Sequence, residues 1–249
     1  LSDGQWRTHA ELPDLDAWIT RVPVADAAES DSLVDRECDA AASDLDPEFG
    51  LVLRAVWFDV AEPGEQGRLL LVAHHLVVDG VSWRVLLPDL GQAWMQVAAG
   101  QAPSLPEVGT SYRRWAHALH DTARDHVGEL DHWTETLRGA APLTGVASLD
   151  PEIDTLVTTA TVRVDLDPSA TDAVIARLPE LYGSGTADGL LTALALATAQ
   201  DGQRSLLLTL EGHGRDLDAT GTVDLARTVG WFTSAYPVRL DLADDLDLT

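Results

Sequence analysis

The 249-residue chain carries 41 acidic against 16 basic side chains, a formal net charge of -25, and 45% of it is hydrophobic. That charge opposes electrostatic attraction to nucleic acid or to an anionic membrane, and a single cysteine, Cys38, excludes both an intrachain disulfide framework and a cysteine-cluster metal site. The length suffices for one large core or two smaller ones; no apolar run approaches the ~18 residues that span a bilayer, and residues 1–4 do not begin a signal peptide, so the chain reads as cytoplasmic, with Cys38 a buried spectator thiol.

In chain order, residues 5–12 read as a strand, and 30–42 as a helix that Ser30 or Asp31 caps. A strand follows at 49–60. Residues 62–66, with Pro63, Gly64 and Gly67 around them, make a hairpin-like turn into the apolar run 69–73, which reads as a buried strand. Apolar residues then recur at helical spacing over 81–99, and Gly100 stands where glycine closes a helix. Further helices are predicted at 111–118 and 124–137. The Gly, Ala, Pro and Ser cluster at 139–151 is the clearest boundary, dividing the chain into 1–139 and 140–249. Beyond it, 156–164 alternates as a strand does, 168–178 and 187–199 are helical, and 205–210 is a strand that delivers Glu211. No internal repeat or low-complexity tract is present.

The strand at 69–73 ends in His74-His75-Leu76-Val77-Val78-Asp79-Gly80. Histidine, with an unperturbed pKa of about 6.5, exchanges protons near neutral pH. In an extended segment adjacent side chains face opposite sides, so one imidazole can address a cavity while the other packs within the protein. Asp79 can fix the loop by accepting backbone hydrogen bonds or pairing with an arginine, and Gly80 permits a tight or left-handed turn. On spacing alone, a pair of satisfied structural histidines fits as well as a catalytic one. Adjacent histidines seldom converge on one ion, and neither a His-Glu-x-x-His helix nor a cysteine pair is present, so no metal is expected. There is no Gly-x-Ser-x-Gly elbow and no Walker loop, which argues against a hydrolase of that type and against a nucleotide-binding enzyme.

Three ordered blocks carry a family resemblance. The run from His74 to Trp83, HHLVVDGVSW, resembles the HHxxxDG signature of the condensation superfamily of nonribosomal peptide synthetases, which groups with chloramphenicol acetyltransferase-like acyltransferases. Its continuation to Leu90 resembles the epimerization branch. So does Leu210-Glu211-Gly212-His213-Gly214-Arg215-Asp216, close to that branch's EGHGRE block, with Asp216 departing from the usual glutamate. Thr228-Val229-Gly230-Trp231-Phe232-Thr233-Ser234-Ala235-Tyr236-Pro237-Val238 resembles the TVGWFTS segment that follows it.

The resemblance implies an α/β, chloramphenicol acetyltransferase-like fold of two lobes in a V, with the active site in a tunnel at their junction. Relative to that family the chain looks truncated at both ends. The implied reaction is inversion of the α-carbon of an aminoacyl or peptidyl thioester held on the phosphopantetheine arm of a carrier domain. His75 and Glu211 are the implied acid/base pair, although by composition Glu211 is also an ordinary solvated turn residue. Inside a tunnel desolvation would raise the Glu211 pKa and a nearby histidinium would lower it. His74, Asp79, Gly80, His213 and Arg215 are supporting residues; His213 and Arg215 could orient Glu211 or the enolate oxygen, or serve packing and salt bridging. Ser82, Trp83, Trp231 and Tyr236 line the tunnel, Tyr236 having the alternative of a core tyrosine with a satisfied hydroxyl. No bound cofactor is implied beyond the carrier's arm. The partners implied are a peptidyl carrier domain, docking near Arg84 or Arg113-Arg114, and neighbouring synthetase domains. A condensation domain forming an amide through the same loop, and a non-catalytic carrier-docking fragment, are the alternatives.

Overall fold

The computed structural model describes residues 18–24, 30–60, 64, 66–139, 148–215 and 223–246. The strand expected at 5–12 lies outside the described residues, as does most of the boundary cluster at 139–151. The fold is mixed α/β. Two compact units form, one of Leu1–Asp121 with His213–Thr233 and one of Thr122–Gly212 with Ser234–Thr249. The compact units therefore do not divide at the single expected cut after residue 139. The reason is that the segment 213–233 is hydrogen-bonded into the first unit, as the site below shows.

In the first unit, β1 (Ile19–Val24), β2 (Leu53–Val60) and β3 (Arg68–Ala73) form a sheet in that order. β1 runs parallel to β2, which demands a crossover, and α1 (Ser30–Ser43) supplies it. β2 and β3 are antiparallel, pairing Leu53 with Ala73 and Phe58 with Arg68, so the expected hairpin is present. The strand expected from residue 49 starts later, because Asp46 caps a 3-10 turn at Pro47–Phe49 that Gly50 closes at φ 80°. Strand alternation turns Val56, Phe58 and Val60 of β2, Leu70 and Val72 of β3, and Val22 and Val24 of β1 onto one core with Leu33, Val34 and Ala41 of α1. Leu69 is 42% exposed, so β3 is half-buried, not the buried strand expected from its apolar run. β1 was not expected; it carries Pro23, whose missing N–H is harmless because β1 is the edge of the sheet among the described residues.

α2 (Gly80–Ala98) closes through Ala99 and Gly100, the latter at φ 74°. α3 (Tyr112–Thr122) runs past the expected end at 118. The helix expected at 124–137 is a 3-10 stretch, Ala123–Glu129, followed by α4 (Leu130–Leu137).

The second unit holds α4, then α5 (Pro168–Asp172), a π-helical turn Ala173–Arg177, α6 (Leu178–Tyr182) and α7 (Thr186–Gln200). The widened turn falls directly before Pro179, which has no N–H to offer the helix. β4 (Ser205–Gly212) pairs antiparallel with β5 (Ser234–Asp241). Residues 156–164 are not a strand: Leu156–Thr158 is a 3-10 turn, and Val157, Val162 and Val164 are 94%, 88% and 78% exposed. Period-2 alternation supplies a face, but a strand needs a ladder partner, and among the described residues none pairs with this segment. No helix among the described residues is long and apolar enough to cross a membrane.

Candidate functional site

The His74–Gly80 loop leaves the sheet by a tight turn. The His74 backbone N–H still donates to the Val52 carbonyl at 2.9 Å, and the Val77 N–H then donates to the His74 carbonyl at 3.0 Å. The two imidazoles therefore part at a turn and not by strand alternation. His74 Nδ1 accepts the Leu76 N–H at 3.1 Å, which leaves the proton of its neutral ring on Nε2. His75, at the corner, is exposed, with the Trp231 ring 5.0 Å away, centroid to centroid, at 65°.

Asp79 ends the loop and caps α2, its Oδ1 accepting the Ser82 N–H at 2.7 Å. It is 3% exposed, so its charge requires partners, and it has them. The Arg215 guanidinium donates to Oδ2 at 2.7 Å and to Oδ1 at 3.1 Å, and the Phe232 N–H donates to Oδ2 at 3.2 Å. Burial alone would raise this carboxyl, but the hydrogen bonds from Arg215, from the Ser82 hydroxyl and N–H and from Phe232 outweigh it and hold the pKa at about 2. Gly80 begins the helix without a left-handed turn, and a Cβ there meets open space. The conformational freedom expected of Gly80 is not used.

Ser82 is fully buried. Its Oγ lies 2.8 Å from Asp79 Oδ1 and 2.9 Å from the Gly230 carbonyl, and it accepts the Gly230 N–H at 3.1 Å and an Arg215 N–H at 3.2 Å. One hydroxyl proton serves either oxygen, and every lone pair is used. Ser82 thus ties α2 to the 228–232 segment. Arg215 also donates to the Thr228 carbonyl at 3.2 Å and lies 4.2 Å over the Phe232 ring, against which its planar cation stacks. His213 Nδ1 accepts the Arg215 backbone N–H at 3.2 Å, and the Arg215 guanidinium forms the salt bridge to Asp79.

Residues that local sequence signals did not single out complete this polar clasp. Tyr112 donates its hydroxyl to the Trp231 carbonyl at 2.9 Å, and burial, with the Asp79 charge, raises its pKa. Thr228 donates to the Thr110 carbonyl at 2.7 Å. Arg227 pairs with Asp89 of α2 at 2.7 Å. Two glycines are fixed by crowding: a Cβ on Gly214, at φ 65°, would stand 1.7 Å from the Phe232 carbonyl oxygen, and one on Gly230 would stand 2.1 Å from the Tyr112 ring. Trp115, Leu225 and Phe232 form the apolar floor.

Glu211 belongs to the second unit, on β4 opposite Ala235, with its side chain exposed. Tyr236 of β5 is 40% exposed, which does not fit a core tyrosine. Trp83 and Cys38 are half-buried, so Cys38 is less enclosed than expected. Arg84, Arg113 and Arg114 are exposed. Among the described residues no three His, Cys, Asp or Glu side chains gather as a metal site.

Known proteins resemble this chain in sequence and in fold. A linear gramicidin synthase polypeptide of Brevibacillus parabrevis is 37% identical over 249 residues, covering 97% of this chain and 5% of that protein. Surfactin synthase subunit 1 of Bacillus subtilis (strain 168) is 36% identical over 225 residues, 88% of this chain and 6% of that one. Among solved structures, the epimerization domain from the third module of tyrocidine synthetase B superposes with a TM-score of 0.73 at 30% identity, over 92% of this chain and 51% of that chain. The first condensation domain of the CDA synthetase gives 0.63 at 19% identity, over 100% and 55%. The chain thus spans about half of these domains and a small part of the synthases. The Condensation domain family matches residues 6–249, and the chain belongs to it, as a condensation-superfamily domain of the nonribosomal peptide synthetase type.

Proposed function

We propose that the chain is of the epimerization kind and inverts the α-carbon of an aminoacyl or peptidyl thioester carried on a partner domain's phosphopantetheine arm. The observation that carries this reading is the contrast in similarity: 30% identity and a TM-score of 0.73 to an epimerization domain, against 19% and 0.63 to a condensation domain. The Glu211-Gly212-His213-Gly214-Arg215 block supports it.

A thioester carbonyl acidifies the neighbouring α C–H because the electron pair left behind delocalises as an enolate. One group takes that proton from one face, and a second gives a proton to the opposite face, re-forming the C–H bond with inverted configuration and no net change in composition. His75 and Glu211 are assigned these two roles, without assigning which removes the proton from the L-substrate. Both side chains are exposed, as groups that must reach a substrate have to be. Asp79, Ser82 and Arg215 hold the loop. The partners under this reading are a peptidyl carrier domain and the neighbouring synthetase domains.

The test is α-hydrogen exchange in deuterated buffer on a carrier-tethered L-aminoacyl or peptidyl thioester, with the chirality of the released amino acid scored. Exchange with inversion, lost in His75→Ala and in Glu211→Ala, is expected. A folded parent that exchanges nothing but forms an amide with a second carrier-bound amine would make this a condensation domain instead. A folded parent that does neither yet binds the carrier would leave a docking fragment.

A further inference from the structure

Neither member of the His75–Trp231 contact is buried: His75 is exposed on its turn and Trp231 is 42% exposed. An exposed indole on an irregular segment ordinarily has rotational freedom, yet the backbone that carries this one is fixed at successive residues. The Gly230 N–H donates to Ser82 Oγ at 3.1 Å, the Trp231 carbonyl accepts the Tyr112 hydroxyl at 2.9 Å, and the Phe232 N–H donates to Asp79 Oδ2 at 3.2 Å. Phe232 is 2% exposed and anchors in the aromatic floor, 4.6 Å from Trp115 and 5.1 Å from Tyr112 between ring centroids. Gly230 cannot shift toward Tyr112, whose ring already fills the space of a Cβ. The segment is clamped through its backbone while the indole itself projects to meet an imidazole.

We propose that Trp231 is the positioning residue for His75, its indole holding the imidazole in one orientation by edge-to-face contact. The separation of 5.0 Å and the angle of 65° lie within the range in which aromatic rings attract edge to face. The proposal rests on reading His75 as one of the proton-transfer pair, but the contact can be tested without turnover.

The experiment is an NMR spectrum of the full chain with isotope-labelled histidine at fixed pH, the His75 signal being assigned by its absence in His75→Gln. Trp231→Leu is expected to move the His75 ring-proton shifts toward those of a free histidine. Trp231→Phe keeps an aromatic edge and retains most of the parental shifts. Tyr112→Phe, which frees the Trp231 carbonyl but leaves the indole, gives a smaller change of the same sign. His75 ring-proton shifts unchanged in Trp231→Leu, with the His74 and His213 signals showing an intact fold, would overturn the proposal. Failure of the epimerization reading would appear separately, as absence of α-hydrogen exchange in the parent.

Discussion

The two units dispose of their side chains in opposite ways. In the first, Val24, Val56 and Phe58 are 3% exposed or less, and the buried polar residues Asp79, Ser82, Thr110 and Thr228 lie in the same unit. In the second, Leu156, Val157 and Val162 are 91%, 94% and 88% exposed, and its buried side chains among the described residues are Ala195, Ala199 and Leu206. The family blocks follow that division. Asp79, Arg215 and the backbone of Gly230 and Phe232 form a buried clasp in the first unit, while the groups assigned to chemistry, His75 and Glu211, are exposed, one in each unit. Much of what makes these blocks recognisable is thus the means of holding a loop, and a smaller part is what the proposed function assigns to proton transfer.

The strongest way to break that contrast is to cut the clasp. Arg215→Ala leaves Asp79 charged and unpaired in a buried site, and a loss of about 3–5 kcal/mol is expected in denaturant unfolding. Phe58→Ala, a deletion at a fully buried position, should cost a comparable ~3–5 kcal/mol in the first unit's core. Ser82→Ala removes one hydroxyl and leaves the Gly230 N–H without its acceptor, for about 1–3 kcal/mol.

Acid gives a graded version of the same cut. The Asp79 pKa is depressed from 3.8 to about 2, so its contribution is fully present above about pH 4 and is lost as pH falls through about 2. The difference corresponds to about 2 kcal/mol. Unfolding free energy should fall over that window in the parent and fall less in Asp79→Asn, which is less stable at neutral pH. At the small end, Val157→Ser and Val162→Ser in the second unit should change stability by no more than about 0.5 kcal/mol, since each side chain is already exposed to water.

What was legible in the sequence divides along the same physical line. Helices with their own apolar period, such as α2 and α7, and the β2–β3 hairpin were readable because the signal is local. The strands β1 and β5, each containing a proline, and the missing strand at 156–164 were not, because each depends on which neighbour is available for pairing. At the site, an arginine partner for Asp79 was foreseeable from a buried carboxylate, and the Gly-rich block offered Arg215. Tyr112 and Thr110 carried no local sign, since their partners lie more than a hundred residues away. The left-handed conformation expected of Gly80 is found instead at Gly214, at φ 65°, and Gly230 is fixed by the crowding of the Tyr112 ring.

The division between clasp and chemistry is tested most directly by the α-hydrogen exchange rate of His75→Gln, measured on the carrier-tethered thioester at matched folded fraction. An exposed turn residue should change stability by no more than about 0.5 kcal/mol, and the account predicts a folded protein whose exchange is lost. Exchange at the parental rate in a folded His75→Gln would contradict it and remove His75 from the proton-transfer pair.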